Sequence, residues 1–121
     1  MKFLLVLITL SFLSLNTFAE NKTPGPAGCL NRSNDFVGSV VSVDQKIRLC
    51  AGASDDHYTS PLVCYEHSED FLGEKLSIDQ KVKLCAESPA DNPTAHLVCF
   101  DRAKDFSSPA LTIDQKIDLC A

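Results

Sequence analysis

Hydrophobic residues recur at helical spacing in a segment that the chain carries three times. In the central copy, Ile78, Val82 and Cys85 stand at i, i+4 and i+7, so they share one face of a helix while mainly polar residues fill the other positions. The same pattern returns 35 residues earlier and 35 residues later. It predicts one short helix within each of the three copies, which are residues 41–51, 76–86 and 111–121.

A second helical pattern precedes each copy. Cys64, Ser68 and Phe71 also stand at i, i+4 and i+7, which predicts a helix with a cysteine, a small residue and an aromatic ring on one face. Ser60 is expected to be the N-cap of this helix, with Pro61 at its first position. Residues suited to end the helix follow two positions after each phenylalanine, at Gly38, Gly73 and, less typically, Ser108.

Each copy of the repeated segment opens with the signature of a capping box. In such a box a hydroxyl caps the backbone of the helix, a glutamine at the third helical position returns the bond, and an aspartate in the first turn suits the helix dipole. Helix initiation thus accounts for two residues of the repeated triplet Asp-Gln-Lys. The expected pairs are Ser42 with Gln45, Ser77 with Gln80, and Thr112 with Gln115.

The period and the paired helices favour an all-α fold of three tandem αα-hairpin repeats, stacked as an array. Leu84 lies beside the hairpin face of its helix, where it can contact a neighbouring unit. We expect an extended lead-in at residues 20–28 and a single helical domain at residues 29–121. Its units are residues 29–50, 64–85 and 99–120.

The first nineteen residues are typical of a secretory signal peptide. Lys2 precedes an apolar run at Phe3–Leu15, and Thr17-Phe18-Ala19 is a small-x-small cleavage site. The run is short for a membrane span, and no other apolar run of that length follows. We therefore expect export, with a periplasmic or secreted mature chain that has no membrane span.

All six cysteines follow this segment, and an even number in a short exported chain predicts a disulfide framework. Pairing within each unit is favoured, because an antiparallel hairpin brings its two cysteines level. Each bridge would then close a loop of about 20 residues and contribute about 3 kcal/mol. Pairing across the connectors leaves Cys29 to pair with Cys120, and the first and third hairpins would lie roughly 20 Å apart in an open stack, so this scheme requires a closed bundle. The within-unit scheme is Cys29–Cys50, Cys64–Cys85 and Cys99–Cys120; the other is Cys50–Cys64, Cys85–Cys99 and Cys29–Cys120.

Charge and motif content argue against several functions. Without residues 1–19 the chain has 10 basic and 16 acidic residues, a formal charge of −6, and no basic run suited to nucleic acid or an anionic membrane. No nucleophile motif, phosphate loop or Cys-x-x-Cys pair is present. We expect no enzyme activity and no cofactor. The repeated Asp35, Asp70 and Asp105 are expected at helix ends, bonding the capping residues of the next helix.

The sequence also shows no set of metal ligands that repeats from unit to unit. The three histidines do not occupy equivalent positions, and His96-x-x-Cys99 has no second ligand pair of matching spacing. Acidic residues cluster in the second unit and upstream of it, but without the alternating oxygen ligands and glycine of a calcium loop. The histidines are His57, His67 and His96, and the acidic residues are Asp55, Asp56, Glu66, Glu69 and Asp70.

The pattern P-x-x-C-[YF]…D-F…L-[ST]-[IV]-D-Q-K-[IV]-x-L-C-A resembles cysteine-rich αα-hairpin repeats of exported bacterial proteins. The resemblance covers almost the whole chain after residue 19 and implies the hairpin fold, but no activity. The unit is similar in length to tetratricopeptide and Sel1-like repeats, which implies binding of a peptide or protein in a groove. It lacks their tryptophan, glycine, tyrosine and alanine signatures, so no functional residue is carried over.

Function is expected at exposed positions that differ between units, because capping, packing and crosslinking explain the identical ones. The leading hypothesis is a binding or structural scaffold with a protein, envelope or extracellular partner. The alternatives are a thiol-disulfide or metal-responsive protein, in which one bridge opens, and a small secreted effector, toxin or inhibitor. The differing positions are Arg32, His67 and Arg102, Asn31, Glu66 and Asp101, and the connectors with Tyr58 and Asn92.

Overall fold

The computed structural model describes residues 24–71, 75–106 and 110–121, apart from the side chains of Lys104 and Phe106. This part of the chain contains six α-helices and no strand, and three disulfides each join a pair of helices. The predicted all-α class is confirmed. The helices are α1 (Gly25–Val37), α2 (Val43–Cys50), α3 (Ser60–Phe71), α4 (Ile78–Cys85), α5 (Ala95–Phe106) and α6 (Ile113–Cys120).

The second helix of each hairpin begins with a complete capping box. Ser77 Oγ accepts from the backbone N–H of Gln80 at 3.1 Å, and Gln80 Oε1 accepts from the backbone N–H of Ser77 at 2.9 Å. Ser42 with Gln45 and Thr112 with Gln115 form the same box. These helices have only eight residues each, so caps and packing stabilise them more than intrinsic propensity does.

Helix α1 begins at Gly25, so the expectation of an extended lead-in at residues 20–28 is wrong for residues 25–28; residues 20–23 lie outside the described part of the chain. Pro24 is the N-cap, and Pro26 stands in the first turn, where a missing N–H costs no helical bond. The backbone N–H of Gly25 donates to Asp55 Oδ1 at 2.6 Å. Asp55 lies in a connector thirty residues away, so the sequence around Gly25 gives no sign of this bond.

Two glycines let α1 approach the first connector closely. A Cβ atom at Gly25 would lie 2.2 Å from the carbonyl oxygen of Ala53, which no side chain tolerates without a shift. A Cβ atom at Gly28 would lie 3.1 Å from Cγ of Tyr58. Tyr58 is therefore half-buried against α1, and it is not the free connector residue that its variability suggested.

The ends of the first helices follow the expectations only in part. Gly38 ends α1 with φ 66°, a conformation that favours glycine. Gly73 and Ser108 lie outside the described residues. Ser60 is the first residue of α3 and not its N-cap, because the backbone N–H of Val63 already donates to Thr59 O. The Ser60 hydroxyl is buried and donates instead to Ala90 O in the next connector, at 3.3 Å.

The six helices form two layers. Helices α1, α3 and α5 lie side by side in one layer, α2, α4 and α6 lie side by side in the other, and each odd helix packs against the even helix that follows it. Among the described residues, the first and third hairpins make no contact, so the stack is open. Between the layers lies an apolar core, whose most buried large side chains are Val41, Leu49, Leu62, Leu84, Leu97 and Ile117.

The cysteines pair within the units and not across the connectors. The bridges are Cys29–Cys50, Cys64–Cys85 and Cys99–Cys120, with Cα–Cα distances of 5.5, 5.5 and 5.6 Å. No cysteine of the described residues is free. The alternative scheme would need the first and last cysteines to meet, which the open stack prevents.

Candidate interaction surfaces

The repeated glutamine and aspartate connect neighbouring units. Gln45 Nε2 donates to Asp79 Oδ1 at 3.0 Å, and Gln80 Nε2 donates to Asp114 Oδ1, also at 3.0 Å. Each glutamine thus closes its own capping box through Oε1 and reaches the next unit through Nε2. The aspartate, which was expected only to complement the helix dipole, also accepts a bond from the unit before it.

Ion pairs run beside these bonds along the even helices. Arg48 Nη2 donates to Asp79 Oδ1 at 3.1 Å, and Lys83 Nζ donates to Asp118 Oδ1 at 2.5 Å. Hydrogen bonds from Gln45 and then from Arg48 lower the pKa of Asp79. The bond to Asp118 raises the pKa of Lys83. Because all these side chains are exposed, each pair aligns the units more than it stabilises them.

The repeated lysine crosses its own hairpin. Lys46 Nζ donates to Asn34 Oδ1 on α1 at 2.6 Å, and Lys81 bonds Glu69 on α3. The bond from Lys81 lowers the pKa of Glu69. The stems of these lysines are shielded from solvent, as expected when a long side chain covers an apolar surface and keeps its charge at the edge. The role of this lysine was not predictable from the repeated triplet alone.

Two of the lysines also lie over aromatic rings. The Nζ atoms of Lys81 and Lys116 are each 5.7 Å from a ring centroid, that of Tyr65 and that of Phe100 respectively. At this distance a cation and a ring attract each other. Burial, and then the charge of Glu69, raise the pKa of Tyr65. Each position of the triplet Asp-Gln-Lys therefore makes contacts between helices in at least two units.

The histidines lie in three different environments. His57 is exposed in the first connector, and His67 Nδ1 lies 3.5 Å from Asp70 on the same helix. His96 Nδ1 lies 2.8 Å from Leu84 O, and because a carbonyl oxygen only accepts, Nδ1 carries the hydrogen. His96 therefore satisfies a carbonyl at the end of α4. Cys99 is in a bridge, so the pair His96-x-x-Cys99 offers no two ligands.

No metal-binding cluster is found within residues 24–71, 75–106 and 110–121. No three histidine, cysteine, aspartate or glutamate residues of this part lie where they could hold a metal ion. A shallow cleft of about 400 Å³ opens at the C-terminal ends of α4 and α6. Its lining offers an ion pair and small or acidic side chains, without a nucleophile beside a base: Lys83, Ala86, Glu87, Asp118 and Ala121.

The repeated aspartate of the odd helices does not cap the following helix, contrary to expectation. Asp35 Oδ2 accepts from Arg32 Nε at 3.1 Å, and Asp70 pairs with His67, both within one helix and exposed. Capping is already done by the Ser42 hydroxyl and its counterparts. These carboxylates lie on the outer side of the odd layer, where they form what we call the charged face: Arg32, Asp35, His67, Asp70, Arg102 and Asp105.

The other differing positions border this face. Asn31 and Glu66 are exposed, and Asp101 is half-buried at the equivalent place on α5. Asn92 is exposed in the second connector. The structure thus brings the residues of the odd helices together on one side of the molecule, whereas Tyr58 is half-buried against α1.

Two further surfaces were missed by the sequence analysis because their residues follow the same pattern in every unit. Ile47 is 49% exposed, whereas its counterparts Val82 and Ile117 are 3% and 1% exposed. Leu119 is 66% exposed, whereas its counterparts Leu49 and Leu84 are fully buried. We call the first the leading surface (Val43, Asp44, Ile47) and the second the trailing surface (Gln115, Asp118, Leu119). Only the place of a unit in the stack distinguishes them.

Comparison of the chain with models of protein families, with curated proteins and with solved structures finds no match. Among the described residues, no helix has the length and hydrophobicity that crossing a membrane requires. The chain is thus established as a small, disulfide-stabilised helical protein, and its function must be argued from its surfaces.

Proposed function

We propose that this chain is an exported, non-enzymatic repeat module that binds a protein of the cell envelope or the extracellular medium through its charged face. The observation that carries the proposal is the repeated aspartate on this face. Of the four polar positions that are identical in all units, the glutamine, the lysine and the aspartate of the triplet each contact another helix in at least two units. The fourth, at Asp35, Asp70 and Asp105, is exposed in every unit.

Contacts within the fold do little to explain why this aspartate is the same residue in all three units. A pair such as Arg32 with Asp35, three residues apart on a helix, contributes about 0.2–0.5 kcal/mol. In the second unit a histidine replaces the arginine, yet the aspartate stays the same. An exposed carboxylate thus recurs at the same position of three adjacent helices. This repetition supports binding of a partner whose hydrogen-bond donors match the carboxylates.

The three disulfides also support the role of an exported binding module. Bridges persist in oxidising compartments, which supports export, and each bridge fixes the hairpin that carries one aspartate. A face held in place before binding loses less conformational entropy on association. The differing neighbours of the aspartate, Asn31, Glu66 and Asp101 among them, would then adjust specificity from unit to unit.

The test is capture of a partner by the oxidised protein, followed by affinity measurement. The protein is immobilised, exposed to the envelope and extracellular fractions of its source, crosslinked, and the bound protein is identified and titrated. We expect Asp35→Asn/Asp70→Asn to weaken binding at least tenfold. The control Glu87→Gln/Asp91→Asn removes the same charge from exposed connector residues and should bind like the unmodified protein.

Equal affinity of the charged-face variant and the control would exclude the charged face as the binding site. If neither fraction yields a crosslinked protein, the proposal loses its main support. Unfolding by denaturant should be nearly the same for both variants, so that a loss of binding is not a loss of structure.

A further inference from the structure

The interface between neighbouring units has two different halves. On α2, Gln45 and Leu49 stand one helical turn apart and face α4, since Gln45 bonds Asp79 and Leu49 is buried. On α4, Asp79 and Val82 face back toward α2 in the same way. Each unit thus offers a forward half to the unit after it and a backward half to the unit before it.

The described stack uses this interface twice and leaves one half exposed at each end. The exposed backward half is the leading surface, where Ile47 stands in the place of Val82 and Asp44 in the place of Asp79. The exposed forward half is the trailing surface, where Leu119 stands in the place of Leu49 and Gln115 in the place of Gln45. The aliphatic side chains that are buried at these positions inside the stack are therefore exposed to solvent at its ends.

The charges of the two ends are complementary as well. Inside the stack, Lys83 pairs with Asp118 at the equivalent position of the next unit. The residue equivalent to Lys83 in the first unit is Arg48. Asp118 of one chain, beside its bond to Lys83, would therefore lie opposite Arg48 of another chain, which bonds Asp79 in its own chain. Gln115 would at the same time donate to Asp44, as Gln45 does to Asp79.

We propose that a second copy of this chain docks head to tail, its leading surface on the trailing surface of the first. The junction continues the interface between the units, with Leu119 of one copy packed against Ile47 of the other. Such contacts join unlike surfaces, so they extend into longer assemblies unless the ends meet in a ring. Because two separate chains must meet, the extent of association should rise with protein concentration.

Sedimentation velocity of the oxidised, exported protein over a range of concentrations tests the proposal. We expect Leu119→Glu and Ile47→Glu, each at an exposed side chain, to weaken self-association at least tenfold. The control is Val40→Glu, because position 40 and its counterparts Lys75 and Ala110 are exposed in all three units. This control and Asp35→Asn/Asp70→Asn should associate like the unmodified protein, which separates self-association from the charged face.

Mixing the two variants gives the sharpest result. The Leu119→Glu chain keeps an intact leading surface and the Ile47→Glu chain an intact trailing surface, so an equimolar mixture should form one-to-one dimers and nothing larger. If the unmodified protein stays monomeric at every concentration, the proposal is overturned. A monomer in which Ile47→Glu lowers thermal stability would mean that Ile47 is covered within its own chain, which would also overturn the proposal. Dimerisation of Leu119→Glu alone would show a like-to-like contact and overturn the head-to-tail arrangement.

Discussion

At the scale of single residues, the aspartate of the repeated triplet acts across units. Asp79 accepts from Gln45 and Arg48, and these bonds lower its pKa because they favour the charged carboxylate. A carboxyl group whose pKa is lower in the folded chain stabilises the fold above its unfolded pKa of about 3.9. This stabilisation is lost as the pH falls through the folded pKa.

We therefore expect Asp79→Asn to be less stable than the unmodified protein at neutral pH, and the difference to shrink as the pH falls below about 4. Urea unfolding at a series of pH values measures it. Asp91→Asn is the matched control, because Asp91 is an exposed connector residue, and it should show a small difference at every pH. A difference for Asp79→Asn that stays constant down to pH 2 would contradict the assigned bonds.

At the scale of helices, the capping boxes start the short even helices. Removing the Ser77 hydroxyl leaves the backbone N–H of Gln80 without its acceptor. We expect Ser77→Ala to lower the free energy of unfolding by about 1 kcal/mol. Ser39→Ala, at an exposed turn position of the first hairpin, is the control and should change it by less than about 0.5 kcal/mol. Equal effects in calorimetry or urea unfolding would mean that packing alone defines the start of α4.

Helix starts that depend on residues close in the sequence were predictable, whereas those that depend on distant residues were not. The caps at Ser42, Ser77 and Thr112 were predictable because both partners lie within four residues. The start of α1 was not, because Gly25 depends on Asp55, thirty residues away. The role of Lys46 also depends on a partner in another helix.

The surfaces, too, were predictable only where the sequence itself distinguishes their residues. The differing residues of the odd helices were found from the sequence, because their variation between units is visible there. The leading and trailing surfaces were not, because Ile47 and Leu119 fit the repeated pattern and only their places in the stack expose them.

At the scale of the whole molecule, the three bridges differ in shielding. Cys29 and Cys64 are fully buried, whereas Cys99, in the third described unit, is half-buried. Since thiol-disulfide exchange requires access to a sulfur atom, we expect increasing reductant to open Cys99–Cys120 first. Alkylation and peptide mapping at each step measure the order. Simultaneous opening of all three bridges would indicate that reduction requires unfolding of the whole stack.

The open stack has a consequence for how such a chain can change in length. Every contact between units is a contact between neighbours, since the first and third hairpins do not meet among the described residues. Duplication of 35 codons in the middle of the gene would therefore insert a hairpin that finds the same neighbours as the second unit, without disturbing a bridge or a cap. The protein can be lengthened in whole units, and each added unit adds one more exposed aspartate at a regular spacing.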